Sequence, residues 1–194
     1  MGLDMYMYAQ VRSTILDYGR DEEPPEDRQK MLAAAEAVGL KDSAGEGNYG
    51  SVSIEMQVGY WRKANAVHGW FVEHVQDGVD ECQRSRVELE QIVELRELCE
   101  KVVATAKLEP GKVVVGQRGT ASGWEDMLED GEVCTNADEI IELLPPTSGL
   151  FFGSSDIDGF FIDNIKHTIK VMKLCEELHA RHRYNVSFHY QSSW

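Results

Sequence analysis

With 194 residues, 42% of them hydrophobic and 27% charged, the chain is long enough for one domain with a substantial core, and its composition is that of a folded protein. Its 34 acidic side chains outnumber 19 basic ones, a formal net charge of −15; this argues against general nucleic-acid binding, which draws its affinity from neutralising phosphates. No run approaches the ~20 apolar residues of a membrane helix, and the start lacks the basic region and cleavage site of a signal peptide, so a cytoplasmic protein without a membrane partner is expected.

Residues 3–9 alternate, with Leu3, Met5 and Met7 on one side and Asp4, Tyr6 and Tyr8 on the other, a strand pattern. A charged, Pro-containing loop over 20–26 leads into an Ala-rich helix over 26–38, with Pro25 near its start and Gly39 as its stop. Three glycines make 43–50 a loop. Residues 51–60 form the clearest strand, with Val52, Ile54, Met56 and Val58 alternating against Ser51, Ser53, Glu55 and Gln57. The period then becomes helical over 61–75, and Asp77-Gly78 is a turn.

Further on, Ser85 and Glu88 have the spacing of a capping box, opening a long helix to about Lys107 that stops before Pro110-Gly111. Residues 111–135 are glycine-rich and read as an irregular insertion, with at most a short strand at Val113 to Val115. Asn136 and Glu139 cap a short helix through Leu144, ended by Pro145-Pro146. After a short apolar strand or tight loop over 148–153, a helix covers 161–182 and a last strand 184–190. The expectation is a single α+β domain over 1–194: a small, mostly antiparallel sheet (strands near 3–9, 51–60 and 184–190) covered by helices.

The chemistry concentrates in Gly59-Tyr-Trp-Arg-Lys-Ala-Asn-Ala-Val-His-Gly-Trp-Phe71. No Asp or Glu occurs from 56 to 72. Arg62 and Lys63, near a helix N-terminus, supply charge for an anion, and Trp61 or Trp70 a flat face for stacking. Asn65, His68 and Gln191 would orient polar groups. The ligand this implies is an anionic, phosphate-bearing and nucleotide-like small molecule. Each residue also has a plainer role. Arg62 and Lys63 pack their stems over the tryptophans. On a helical wheel His68 falls in the apolar arc with Trp61, Ala64, Phe71, Val72 and Val75, as a core histidine bonded to a carbonyl or carboxylate would. A third reading makes His68 the general base of a hydrolase or transferase.

Asp156 and Asp158 read as turn residues or helix caps; they join a metal site only if the fold gathers them with Asp163 and Asp4. Cys82, Cys99, Cys134 and Cys175 are isolated, with no zinc spacing, and are expected to be reduced thiols. No cofactor is expected. The acids are segregated: 125–142 holds eight and no base, and 17–27 is nearly as acidic. These segments would suit a basic host protein as partner. Lys166, Lys170, Lys173, Arg181 and Arg183 lie in acid-free stretches that would make one basic face beside Arg62 and Lys63. A homodimer is compatible with the aromatic content.

Five blocks, Met1-Gly-Leu-Asp-Met-Tyr6, Val58-Gly-Tyr-Trp-Arg-Lys-Ala-Asn-Ala-Val-His68, Val75-Gln-Asp-Gly-Val-Asp80, Pro146-Thr-Ser-Gly-Leu-Phe-Phe-Gly-Ser154 and Tyr190-Gln-Ser-Ser-Trp194, resemble a family encoded by bacteriophages and bacteria for which no activity is established. The resemblance lies in these five separated blocks and carries over no catalytic residue. It implies an intracellular accessory protein, of the kind phages use to counter host defences or redirect host machinery.

Overall fold

The computed structural model describes residues 2–14, 26–40, 51–120, 123–149 and 152–194. In chain order its elements are β1 (Asp4–Thr14), α1 (Glu26–Ala37), β2 (Ser51–Arg62), α2 (Asn65–Val75), β3 (Ser85–Val87), α3 (Leu89–Thr105), β4 (Leu108–Thr120), β5 (Gly123–Cys134), α4 (Ala137–Leu143), α5 (Gly159–His182) and β6 (Val186–Ser193). Strands β2, β1, β6 and β3 pair in that order as one antiparallel sheet, and β4 with β5 makes a second. This is the α+β fold that the patterning predicts.

The alternation of β1 survives intact. Leu3, Met5 and Met7 are fully buried beneath the helices, while Asp4, Tyr6 and Tyr8 sit half-exposed on the opposite face. From β6, Val186, Phe188 and Tyr190 join the buried side, with Ser192. Helices α3 and α5 cover this face through Ile92, Leu95, Cys99 and Val102 and through Ile162, Ile165, Val171 and Met172, spacings that make one stripe of each helix. Burying a side chain of this size contributes ~1.5–3 kcal/mol, so the two stripes hold the layers together. The thiols of Cys99 and Cys175 lie in this core, where burial pushes each up to about 12 and keeps it protonated and unreactive.

Three expectations are corrected. In β2 the alternation does not run through: a bulge puts Gly59 opposite Met7 and Gln57 opposite Tyr8. Beyond it Gly59 and Trp61 are buried, whereas Ile54 and Met56, toward the start of an edge strand, remain 46% and 65% exposed. Gly59 is required here, since a Cβ would lie 2.7 Å from Val171 Cγ1 and 2.9 Å from Trp61 Cη2. Second, Ser85 opens no helix. Residues Ser85–Val87 pair with β6 as β3, satisfying backbone groups on its free edge, and the cap moves on to Glu88, whose N–H donates to Gln91 Oε1 at 2.9 Å.

Third, the segment expected to be irregular, 111–135, lies almost wholly within a long hairpin, laddered from Leu108 opposite Cys134 to Thr120 opposite Gly123. Its glycines make room rather than break the strands. A Cβ at Gly111 would meet Val133 Cγ2 at 2.7 Å, and one at Gly131 would meet Val113 Cγ2 at 2.7 Å. At the hairpin's base, Cys134 N–H donates to Ile157 C=O at 3.1 Å, tying it to the segment before α5. Of the acidic stretch 17–27, residues 17–25 lie outside the described residues. Among the described residues no helix is long and apolar enough to cross a membrane.

Candidate functional site

The helical period read from residue 61 begins four residues later. Trp61 and Arg62 still belong to β2, opposite Met5 and Asp4, so strand alternation sends Trp61 into the core and leaves Arg62 exposed. Lys63 takes a left-handed conformation (φ 59°), its N–H donating to Leu3 C=O at 2.8 Å; this single residue turns the chain from sheet into α2. Gly153 lies against it, also left-handed at φ 91°, where a Cβ would stand 2.9 Å from Lys63 Cβ. Asn65 Nδ2 fixes that approach by donating to Phe152 C=O at 3.3 Å and Ser154 C=O at 2.7 Å.

At the start of α2 the N-cap is Ala64, with no side-chain hydrogen bond, and the first turn carries no acid. The first N–H groups of a helix have no intrahelical partner and form its positive end. They meet a cavity of about 480 Å³ lined by Arg62, Lys63, Asn65, Phe160, Asn164 and His167. Among the described residues no ion pair engages Arg62 or Lys63. Asp156, Asp158 and Asp163 line the same cavity, but each has a local donor. Asp158 caps α5 by accepting from Phe161 N–H at 2.9 Å, Asp156 accepts from Ser154 Oγ at 2.7 Å, and Asp163 pairs with Lys166 at 3.3 Å. Burial raises the Asp158 carboxyl above its ordinary value.

His68 lies one turn further along α2 and points elsewhere. It is fully buried. Its Nε2 lies 3.0 Å from Asp80 Oδ2, its Nδ1 2.8 Å from the Tyr190 hydroxyl, and Asp80 Oδ1 accepts from Trp194 Nε1 at 3.1 Å. Burial holds the Tyr190 phenol well above its ordinary value, so it stays protonated and donates to Nδ1, while Asp80 Oδ2 accepts from Nε2. This is the tautomer the bonding pattern assigns. With both nitrogens engaged and no exposure, the ring has no free position for proton transfer to a bound molecule. Phe152 stands edge-on to it, centroids 5.0 Å apart.

The seven residues expected around one ligand are therefore separated. Arg62, Lys63 and Asn65 share a pocket. Trp61 is in the core, 1% exposed, its Nε1 donating to Thr168 Oγ1 at 2.9 Å. Trp70 is 4% exposed and stacks on His74, centroids 4.6 Å apart. Neither indole offers a free face. Gln191, on β6, donates to Cys82 C=O at 3.3 Å. One aromatic ring that does stand open at the pocket, beside the exposed imidazole of His167, is Phe160, 63% exposed, which the sequence reading missed. Its sign was available: it is the apolar residue directly after the Asp158-Gly159 cap, two positions ahead of Ile162, where the inward stripe begins.

The basic face is not continuous either, since Lys166 and Lys173 are paired with Asp163 and Glu100. Among the described residues no group of three His, Cys, Asp or Glu could hold a metal ion. The chain matches no family model, and no curated protein and no solved structure is similar enough to count as a match.

Proposed function

We propose that the pocket at the start of α2 binds a phosphate-bearing, nucleotide-like small molecule. One observation carries this reading. Two exposed cations, Arg62 and Lys63, with no ion-pair partner among the described residues, flank an uncapped helix N-terminus at the mouth of a cavity of about 480 Å³. In a chain with a net charge of −15, leaving two adjacent cations unmatched has a function if an anion matches them. The phosphate would sit on the free N–H groups of α2, within reach of the Arg62 fork, and the flat part would lie against Phe160 in place of the tryptophans. The cavity lies in the ~300–1,000 Å³ range of small-molecule sites, and the local donors of its three aspartates reduce their repulsion of an anion.

Calorimetric titration with adenosine 5′-monophosphate, uridine 5′-monophosphate and inorganic phosphate tests this. Binding of at least one nucleotide is expected, weakening as salt is raised. Arg62→Ala with Lys63→Ala should reduce it by about 10–100-fold, the effect of losing charge-assisted hydrogen bonds worth ~1.5–3 kcal/mol. Phe160→Ala should weaken the nucleotides and spare phosphate. No binding by any of the three, or an affinity indifferent to the double substitution, refutes the assignment.

A further inference from the structure

The largest cavity described, about 940 Å³, lies on another side of α2 and does not depend on the anion site. It is a groove between α2, α3 and the end of α4. Helix α3 carries two stripes. One, Ile92, Leu95, Cys99 and Val102, faces the core. The other faces the groove, where Leu89, Val93 and Leu98, joined by Leu143, stay only half-buried. Along the rim stand Glu73, Glu90, Glu94 and Glu97, all exposed. Glu97 is paired with Arg96 at 3.3 Å; no ion pair engages Glu73, Glu90 or Glu94 among the described residues. Lys101 is the one Lys or Arg among the lining residues.

We infer that this groove docks a basic amphipathic helix of a partner protein. Two independent features select that occupant. The half-buried aliphatic floor is the surface on which a helix lays its apolar face, and the row at 90, 94 and 97 repeats at helical spacing, so Lys or Arg on the flanks of such a helix would meet carboxylates along its length. From Leu89 to Lys101 the groove wall is about 18 Å long, at 1.5 Å per residue, which accommodates about three turns. The same carboxylates oppose the other occupants. A second copy of this groove would bring like charges together, and an anionic lipid surface would be repelled.

The test uses the full-length, isotope-labelled chain and a 14-residue Leu/Lys peptide with its leucines on one helical face. A peptide of the same pattern with Glu for Lys and a scrambled Leu/Lys peptide serve as controls. The expected result is saturable binding of the amphipathic basic peptide alone, with amide shifts clustered over 89–101 and 143–147. Glu90→Lys with Glu94→Lys should weaken it at least tenfold, the pair being surface positions that spare the core. If that variant unfolds, Glu90→Gln with Glu94→Gln should give a smaller loss in the same direction. Absence of binding, equal binding of the scrambled peptide, shifts mapping elsewhere, or affinity unchanged in the charge variants each overturns the proposal. So does self-association without peptide that Val93→Glu abolishes, which would make a second copy the occupant.

Discussion

Helix α2 presents two polar regions built from one stretch of sequence, and they differ in a single respect. At its N-terminus Arg62 and Lys63 have charge that no described neighbour matches. One turn on, His68 has every polar atom matched, by Tyr190 on one side and Asp80 on the other, with Trp194 completing Asp80. Both regions look equally functional as residue types. The difference separates them: a buried network with complete bonding specifies and stabilises a core, whereas exposed charge without a partner stabilises nothing until a ligand arrives. The histidine thus belongs to the architecture, and the cations are what the proposed site rests on.

The largest expected effect tests the architectural half. His68→Ala removes a buried ring, strands the Tyr190 hydroxyl and takes one of the donors from Asp80, combining a cavity with an orphaned buried polar group. A loss of about 3 kcal/mol or more in urea unfolding is expected, with nucleotide affinity unchanged under conditions where the variant stays folded. A loss below ~1 kcal/mol would mean that the network contributes little. A folded variant that no longer binds nucleotide would erase the distinction between the two regions.

Lys63 sharpens the same contrast, because its backbone and side chain make opposite predictions. At φ 59° a non-glycine residue is strained by ~1–2 kcal/mol, a cost tolerated where function requires it. Lys63→Gly relieves that strain but loosens the unfolded chain, so a net gain of up to ~1 kcal/mol is expected. Nucleotide affinity should fall at the same time. Lys63→Ala keeps the strain and removes the charge, so it should weaken binding without the gain. Denaturant unfolding of both variants beside their titrations reads this out, and a glycine variant that binds as well as the parent would release Lys63 from the site.

These regions also mark how far the sequence could be read. Period-2 and period-3.6 patterns depend on local geometry, so β1, α1, α5 and the layered α+β arrangement were legible. The capping of α5 by Asp158 was legible too, since Asp before a helix has one dominant use. What failed were features set by distant partners. Nothing local places the bulge in β2, and without it Trp61 counts as the first residue of a helix instead of the last buried residue of a strand. The glycines of β4 and β5 read as breakers because the valines they accommodate lie across the ladder. The basic junction is a local cluster in the sequence, and Arg62, Lys63 and Asn65 do share a pocket; Trp61, His68 and Trp70 join it only by proximity in sequence and Gln191 only by residue type, and their partners Thr168, His74, Asp80, Tyr190 and Cys82 are mostly remote.

His189 extends the comparison to a histidine one residue from Tyr190 on the opposite face of β6, where bonding is incomplete. Its Nδ1 is buried with no hydrogen-bond partner among the described residues. Burial lowers its proton affinity first; the Arg84 cation lowers it further and outweighs the opposing pull of Glu55, and Arg86 adds the smallest effect. The folded chain therefore takes up this proton at lower pH than the unfolded chain, whose histidine titrates near the ordinary 6.5. Below that value the unfolded state gains a proton that the folded state resists, so stability falls with pH until the folded group also titrates. The contribution is fully present above about pH 6.5. Thermal unfolding from pH 7.5 to 5 should show the parent losing stability relative to His189→Gln as pH falls, with the difference between the two constant at the upper end. Other groups titrate in both proteins alike, so the difference between the curves isolates this ring. Parallel curves would mean that His189 is as well accommodated charged as neutral, and that an orphaned nitrogen beside two arginines costs the fold nothing.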